Sequence, residues 1–166
     1  VEFIRDSLVD LDGQIGALAR SHGIEGAGLL VRHGHPIDVV PQLAVRLGAQ
    51  ATYANHDDEP AALRRDAAVR GALARAGIAM RTSKDHVVFE RDDVRTAAGG
   101  AFSVYTPYKQ AWLRRLSPDD LRAWPVAHHA SALAPLPETE RHPTPALEAI
   151  GFQRTNLHEL RLPTGS

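Results

Sequence analysis

Short apolar runs alternate with amphipathic helical stretches along the first half of the chain, and this alternation limits the possible folds more than any other feature. AGLLVRHG (27–34), AQATYAN (49–55) and IAMRTS (78–83) read as short strands. Between and before them lie VEFIRDSLVDLDGQIGALARSHG, PIDVVPQLAVRLG and DEPAALRRDAAVRGALARAG, all with helical spacing. In the first of these, Phe3, Ile4, Leu8, Leu11, Ile15 and Leu18 form one apolar stripe, and Gly23 is a plausible stop. Pro36 and Pro60 suit helix starts, Pro41 falls close enough to the start of its helix to be tolerated, and Gly77 suits an end. Strands and helices alternating at this length form βαβ units around a parallel sheet. The fold class is therefore α/β, a Rossmann-like parallel sheet with helices on both faces. Ligands of such sheets gather beyond the carboxyl ends of the strands. HGHP (33–36) and NHDDEP (55–60) both stand at such ends.

The second half differs. AFSVYTPYKQAWLRRL concentrates Phe102, Tyr105, Tyr108 and Trp112, with a turn expected at Thr106-Pro107 and a short helix after it. From Ser117 the chain is rich in proline and holds no period for long, which reads as an extended linker. The expected organisation is thus an α/β domain over 1–116 followed by a linker over 117–166. Val1 opens directly on helical spacing, so the chain reads as a fragment that begins inside a helix.

Bulk properties remove several classes of function. A chain of 166 residues with 43% hydrophobic content has enough apolar material for one domain with a real core. Nineteen basic against twenty acidic residues give a net charge of -1, which is no electrostatic footprint for nucleic acid on this chain alone. There is no cysteine, so disulfides and thiolate metal sites are excluded. No apolar run is long enough to span a membrane and no signal peptide is visible, so a cytoplasmic protein without a membrane partner is expected. Neither GxxxxGK[ST], GxGxxG nor GxSxG occurs.

The stretch NHDDEP places Asn55, Asp57, Asp58 and Glu59 where a strand gives way to a helix. Its carboxylates can accept hydrogen bonds from a ligand, and the helix start offers free N–H groups. Spacing alone favours the simpler reading, in which Asp57 or Asp58 caps the helix and Glu59 meets its dipole. His33 and His35 have no third metal ligand at a familiar spacing, so a tight turn explains them better; both still stand at the ligand rim. His128-His129 reads as a solvated pair. The basic face of RRDAAVRGALAR could meet phosphate, although a solvated face with charge pairs is the usual explanation. The aromatic cluster could stack on a base or ring, or be buried against the sheet or a further domain.

Taken in order, these pieces resemble the N-terminal α/β domain of the DNA photolyase and cryptochrome family, across roughly residues 2–116. The family's asparagine–x–aspartate–x–glutamate–proline signature is met by Asn55, Asp57, Glu59 and Pro60. Its helical arginine–aspartate is met by Arg65-Asp66, and its threonine–proline–aromatic segment by Tyr105, Thr106, Pro107, Tyr108 and Trp112. Gly34-His35-Pro36 stands where relatives have a glycine–acidic–proline turn. Each piece is short; the order of all of them carries the resemblance.

The resemblance implies part of a deoxyribodipyrimidine photolyase, which uses blue light to split ultraviolet-induced pyrimidine dimers. In that family a helical domain binds FAD and the damaged DNA, and the α/β domain holds a light-harvesting antenna. Asp57 is then the leading chromophore contact, because the matching aspartate touches the ring in deazaflavin-type relatives. Glu59, Asn55 and His56 shape the same rim, with His35 beside them. Ala61-Ala62 replaces the aromatic-and-glycine pair that follows the proline in the family, and in folate-type relatives an asparagine–glutamate pair lies at these positions, so a deazaflavin or FMN antenna is favoured over a folate. The sequence departs from the family in lacking its first strands and arginine-rich turn, and the FAD-binding helical domain. This portion alone is expected to be non-catalytic. A cryptochrome-like photoreceptor is the alternative, and a nucleotide-binding module without photochemistry ranks below both.

Overall fold

The computed structural model describes residues 1–85, 87–160 and 163. The chain forms two compact units, one from residues 1–35 with 125–166 and the other from residues 36–124.

The second unit is the α/β one. After helix α1 (Glu2–Arg20) of the other unit, its order is helix α2 (Pro36–Arg46), strand β1 (Ala51–Asn55), helix α3 (Pro60–Arg75), strand β2 (Ala79–Ser83) and helix α4 (Tyr105–Arg115). β1 and β2 pair in parallel, with Ala51 opposite Ala79 and Asn55 opposite Ser83. The ladder is thus one βαβ unit, flanked by helices, with α3 as the crossover that a parallel pair requires. Along it Thr52, Ala54, Met80 and Thr82 are half-buried, whereas Tyr53, Asn55, Arg81 and Ser83 are exposed. This is the period of two expected when one face packs on helices. The core consists of Ala44 of α2, Val69 and Leu73 of α3, and Ile78 at the entry to β2, with Val40, Ala49 and Met80 packed around them. Leu73 is fully buried.

Proline placement refines two expectations. Pro41 is the sixth residue of α2, deeper than a first-turn position, and it has no N–H to donate to the Ile37 carbonyl. Pro107 lies inside the first turn of α4 rather than in a turn before it. No intrahelical acceptor exists for an N–H at that position, so the ring is accommodated.

The first unit is built on α1 (Glu2–Arg20). Its apolar stripe is only partly covered: Leu8, Ile15 and Leu18 are half-buried, while Phe3, Ile4 and Leu11 are exposed. The residues of α1 that are buried are Glu2, Gly16 and Ala19. The small side chains let neighbouring backbone come close. A Cβ on Gly16 would lie 3.6 Å from the Ala27 carbonyl, and one on Gly28 only 2.6 Å from Asp12 Oδ1.

That close approach corrects the strand expected at 27–34, which carries no ladder. An apolar run becomes a strand only where its backbone finds an edge, and here the backbone is used differently. Leu29 N–H donates to Asp12 Oδ1 at 2.6 Å, and Gly26 C=O accepts from Leu136 N–H at 2.9 Å.

Beyond Ser117 the proline-rich stretch consists of short 3-10 turns, at 118–121, 126–132, 138–140, 148–150 and 157–160, separated by irregular residues. Ser117 donates twice to Asp120 Oδ2, from its hydroxyl at 2.6 Å and its N–H at 2.9 Å, and these bonds hold the Asp120 carboxyl below its ordinary range. Within the first unit the 126–132 turn packs on α1. Arg32 donates to the Glu140 carboxylate at 2.9 Å, and Glu2 accepts from both Thr155 N–H and its hydroxyl at 2.8 Å. His128 and His129 are exposed.

Leu73→Ala is expected to lower the unfolding free energy by about 2–5 kcal/mol, because it opens a cavity beneath the ladder. Arg64→Ala, on the exposed face of α3, is expected to change it by less than about 0.5 kcal/mol. Denaturant midpoints of the intact protein check both.

Candidate functional site

The site grows from the point where β1 stops. His56 N–H donates to the Ser83 carbonyl at 2.8 Å, carrying the ladder one residue past Asn55. The alternation of the strand then turns the His56 imidazole to the same side as half-buried Ala54. Its Nδ1 lies 2.8 Å from Glu90 Oε1, and its Nε2 lies 3.0 Å from Thr82 Oγ1. A carboxylate only accepts, so this network assigns a proton to Nδ1.

The acceptors that follow are divided among different tasks. Asp57 Oδ1 accepts from Glu59 N–H at 3.1 Å, which closes a turn before α3 begins. Glu59 holds the capping position itself, with no side-chain cap bond. Neither Asp57 nor Asp58 therefore caps the helix, and one oxygen of Asp57 serves the turn that leads into it. Asp57 Oδ2 stands 3.7 Å from Arg65, which also binds Asp66 at 2.7 Å. The Asp66 hydrogen bond is the main reason the Arg65 guanidinium is held more firmly protonated than usual.

A loop after β2 straps this stretch from the other side. Asn55 Nδ2 donates to Asp85 at 2.6 Å, Glu90 meets His56, and Arg91 binds Asp58 through both Nε and a terminal nitrogen at 2.7 Å. The hydrogen bond that Arg91 donates to Asp58 likewise raises the Arg91 pKa. Arg91 has φ 34°, the one left-handed non-glycine residue among those described. Such backbone is costly for a side-chain-bearing residue and persists where its surroundings impose it. The strap is further tied by Lys84 to the Val88 carbonyl at 2.6 Å and by Glu90 N–H to Asp93 at 2.8 Å.

Two clefts result. The larger, of about 590 Å³, runs along one face of α3 formed by Leu63, Asp66, Ala67, Arg70, Gly71 and Ala74. Its opposite wall is His56, Asp57, Thr82 and Arg91. The second, of about 470 Å³, is lined by Asp57, Asp58, Glu59 and Glu90, with His56, Pro60 and Val87. His56 and Asp57 belong to both, so the end of β1 is their shared wall. Both volumes fall in the range of small-molecule sites, about 300–1,000 Å³. The chemistry on offer is acceptance of N–H groups in the second cleft and contact with an apolar, mixed-charge surface in the first.

Of the residues singled out from sequence, Asp57 and His56 line both clefts and Glu59 lines the second. Asn55 is exposed at the strand end and tied to Asp85, and lines neither cleft. His35 is exposed, belongs to the other unit, and lines neither cleft. Sequence reasoning missed Thr82, Glu90 and Arg91 as wall residues. The α3 face was visible in principle, since residues 63, 66, 67, 70, 71 and 74 recur at helical spacing. The aromatic cluster pairs within its own unit: Trp112 meets Phe89 edge-on at 5.5 Å, and Phe102 meets Tyr108 at 5.9 Å. Arg115 stands over Phe89, 5.2 Å from its ring centre. Tyr105 is exposed. Among the described residues no three His, Cys, Asp or Glu side chains are grouped to hold a metal ion, and no helix is long and apolar enough to cross a membrane.

Known proteins are similar to this chain in sequence. The DNA photolyase family profile matches residues 1–132. A deoxyribodipyrimidine photo-lyase of Halobacterium salinarum is 34% identical over 138 residues, covering 83% of this chain and 28% of that protein. One of a Synechococcus species is 32% identical over 148 residues, covering 86% and 30%. A cryptochrome DASH of Natronomonas pharaonis is 35% identical over 127 residues, covering 76% and 26%. The chain spans less than a third of the length of these curated relatives.

The strained Arg91 allows a test of the strap. Arg91→Ala loses the Asp58 pair and keeps the left-handed strain, whereas Arg91→Gly loses the pair and relieves the strain. The glycine variant is expected to be the more stable of the two by roughly 1 kcal/mol, read from denaturant midpoints. Equal stabilities would mean the strain is not borne at this residue.

Proposed function

We propose, from the premise that this chain belongs to the DNA photolyase family, that it is the antenna-bearing portion of a light-dependent DNA-repair enzyme, a deoxyribodipyrimidine photolyase. The observation that carries this reading is the shared wall of the two clefts, where His56 and Asp57 stand beyond the carboxyl end of β1. That is the position at which parallel α/β sheets hold ligands. We assign residues 1–116 to the antenna domain and residues 117–166 to the lead toward a helical FAD-binding domain beyond this chain, where damaged DNA is bound.

The residues present fit a flat ring bearing N–H groups. Asp57 and Glu59 supply acceptors, and Glu59 makes no side-chain hydrogen bond or ion pair among the described residues. When bound, such a chromophore supplies absorption of blue light and passes the excitation to the FAD. The work of this chain is to hold the ring. Asp57 is fixed by Glu59 N–H and Arg65, and His56 is fixed by Glu90 and Thr82, so these walls are set before any ligand arrives. A deazaflavin or FMN is favoured over a folate.

Fluorescence titration of the intact protein with a deazaflavin, FMN and a reduced folate tests this directly. One flavin-like ring is expected to bind, and Asp57→Ala to weaken it by on the order of tenfold or more, the cost of one charge-assisted hydrogen bond. Failure of all three to bind would remove the antenna role.

A second reading, a cryptochrome-like photoreceptor without repair, is favoured by the similarity to a cryptochrome DASH. Repair of dimer-containing DNA by the intact protein separates the two. Photolyase activity is expected in blue light and not in darkness; no repair in either condition would favour the photoreceptor.

A further inference from the structure

We infer that Arg70 is the anion anchor of this site, and that the cleft along α3 receives the phosphate monoester of a flavin-mononucleotide-type ligand whose ring lies against the acidic cleft. The inference rests on the antenna reading above and goes further by fixing the polarity of the ligand and its class.

Charge is distributed unequally across the shared wall. The acidic cleft presents four carboxylates, those of Asp57, Asp58, Glu59 and Glu90. A phosphate group there would face like charge on every side, whereas ring N–H groups would find acceptors. The cleft along α3 is different: its charged residues are Asp57, Asp66, Arg70 and Arg91. Both of its carboxylates already face a cation, because Arg65 binds Asp66 at 2.7 Å and stands 3.7 Å from Asp57. Arg91 is committed to Asp58 at 2.7 Å.

Arg70 is the cation left over. Among the described residues it has no carboxylate within ion-pairing distance, and its guanidinium makes one hydrogen bond, to Thr82 Oγ1 at 3.4 Å. That distance is at the long end for such a bond, so little holds the group in place. A guanidinium in this condition can turn a two-pronged donor edge to a phosphate, the geometry that makes arginine a phosphate ligand. Its methylene stem runs from the same α3 face as Leu63, Ala67, Gly71 and Ala74, an apolar and sterically open floor for a ribityl chain. The larger cleft thus suits a chain ending in an anion, and the smaller one the edge of a ring.

Comparison of FMN with riboflavin isolates the phosphate, because the two ligands are otherwise identical. Flavin fluorescence quenching on the intact protein is expected to show FMN binding on the order of tenfold more tightly than riboflavin at low salt. The preference should shrink as ionic strength rises. Arg70→Gln is expected to abolish the preference, with FMN weakened to the level of riboflavin in the same variant; Arg70→Lys should retain part of it. Far-UV circular dichroism and the melting temperature check that both variants are folded. Equal binding of the two flavins, or a preference that survives in Arg70→Gln, overturns the assignment of Arg70 while leaving the antenna site standing. Binding of a phosphate-free deazaflavin with rejection of both flavins overturns it in the same way. Failure of every ring to bind overturns the inference together with the reading beneath it.

Discussion

The register of one parallel strand pair governs everything at the candidate site. Asn55 opposite Ser83 brings His56 N–H to the Ser83 carbonyl and sets Thr82 within 3.0 Å of the imidazole. A slip of one residue would exchange the faces of a strand and send Thr82 to the solvent side. The register is held from below, where Leu73 and Val69 of α3 pack with Ile78, Ala44 and the flank of Met80. Since α3 is both the crossover between the strands and one wall of the larger cleft, the same helix fixes the ladder and shapes the site.

A strand end with several acceptors looks from sequence like a choice between a cap and a ligand rim. The structure divides the stretch residue by residue instead. One oxygen of Asp57 closes the turn into α3, Asp58 holds Arg91, and Asn55 holds Asp85. The strap after β2 uses most of the polar capacity of the motif.

The parts of the fold legible in sequence are those set by neighbours along the chain. α2, α3, β1 and β2 follow from spacing, from Pro36 and Pro60 at helix starts, and from Gly77 after α3. The segment 27–34 was not legible as it stands, because an apolar run carries no record of which backbone edge will meet it. Gly16 and Gly28, which let that segment approach α1 and take Asp12 as a hydrogen-bond partner, appear in sequence as ordinary helix and loop glycines. The same limit applies to the site. Asp57 and Glu59 could be named from the motif, but Glu90 and Arg91 lie more than thirty residues from the groups they bind. Only the fold brings these pairs together.

The division of labour within NHDDEP restricts which of its groups a ligand can use. A ring that recruited Asp58 would have to displace Arg91, and one that recruited the His56 nitrogens would break the bonds to Glu90 and Thr82. Leaving such a group unsatisfied costs about 1–3 kcal/mol each, more where charge is involved. Glu59 carries no such cost, since its carboxylate has no side-chain partner among the described residues, and Asp57 keeps an oxygen whose cation stands at 3.7 Å. Ligand acceptance is therefore concentrated on two carboxylates two residues apart, at the mouth of α3. Carboxylates there face the positive end of the helix dipole. A ligand that presents N–H groups to this pair and an anion to the opposite cleft satisfies both without disturbing the strap.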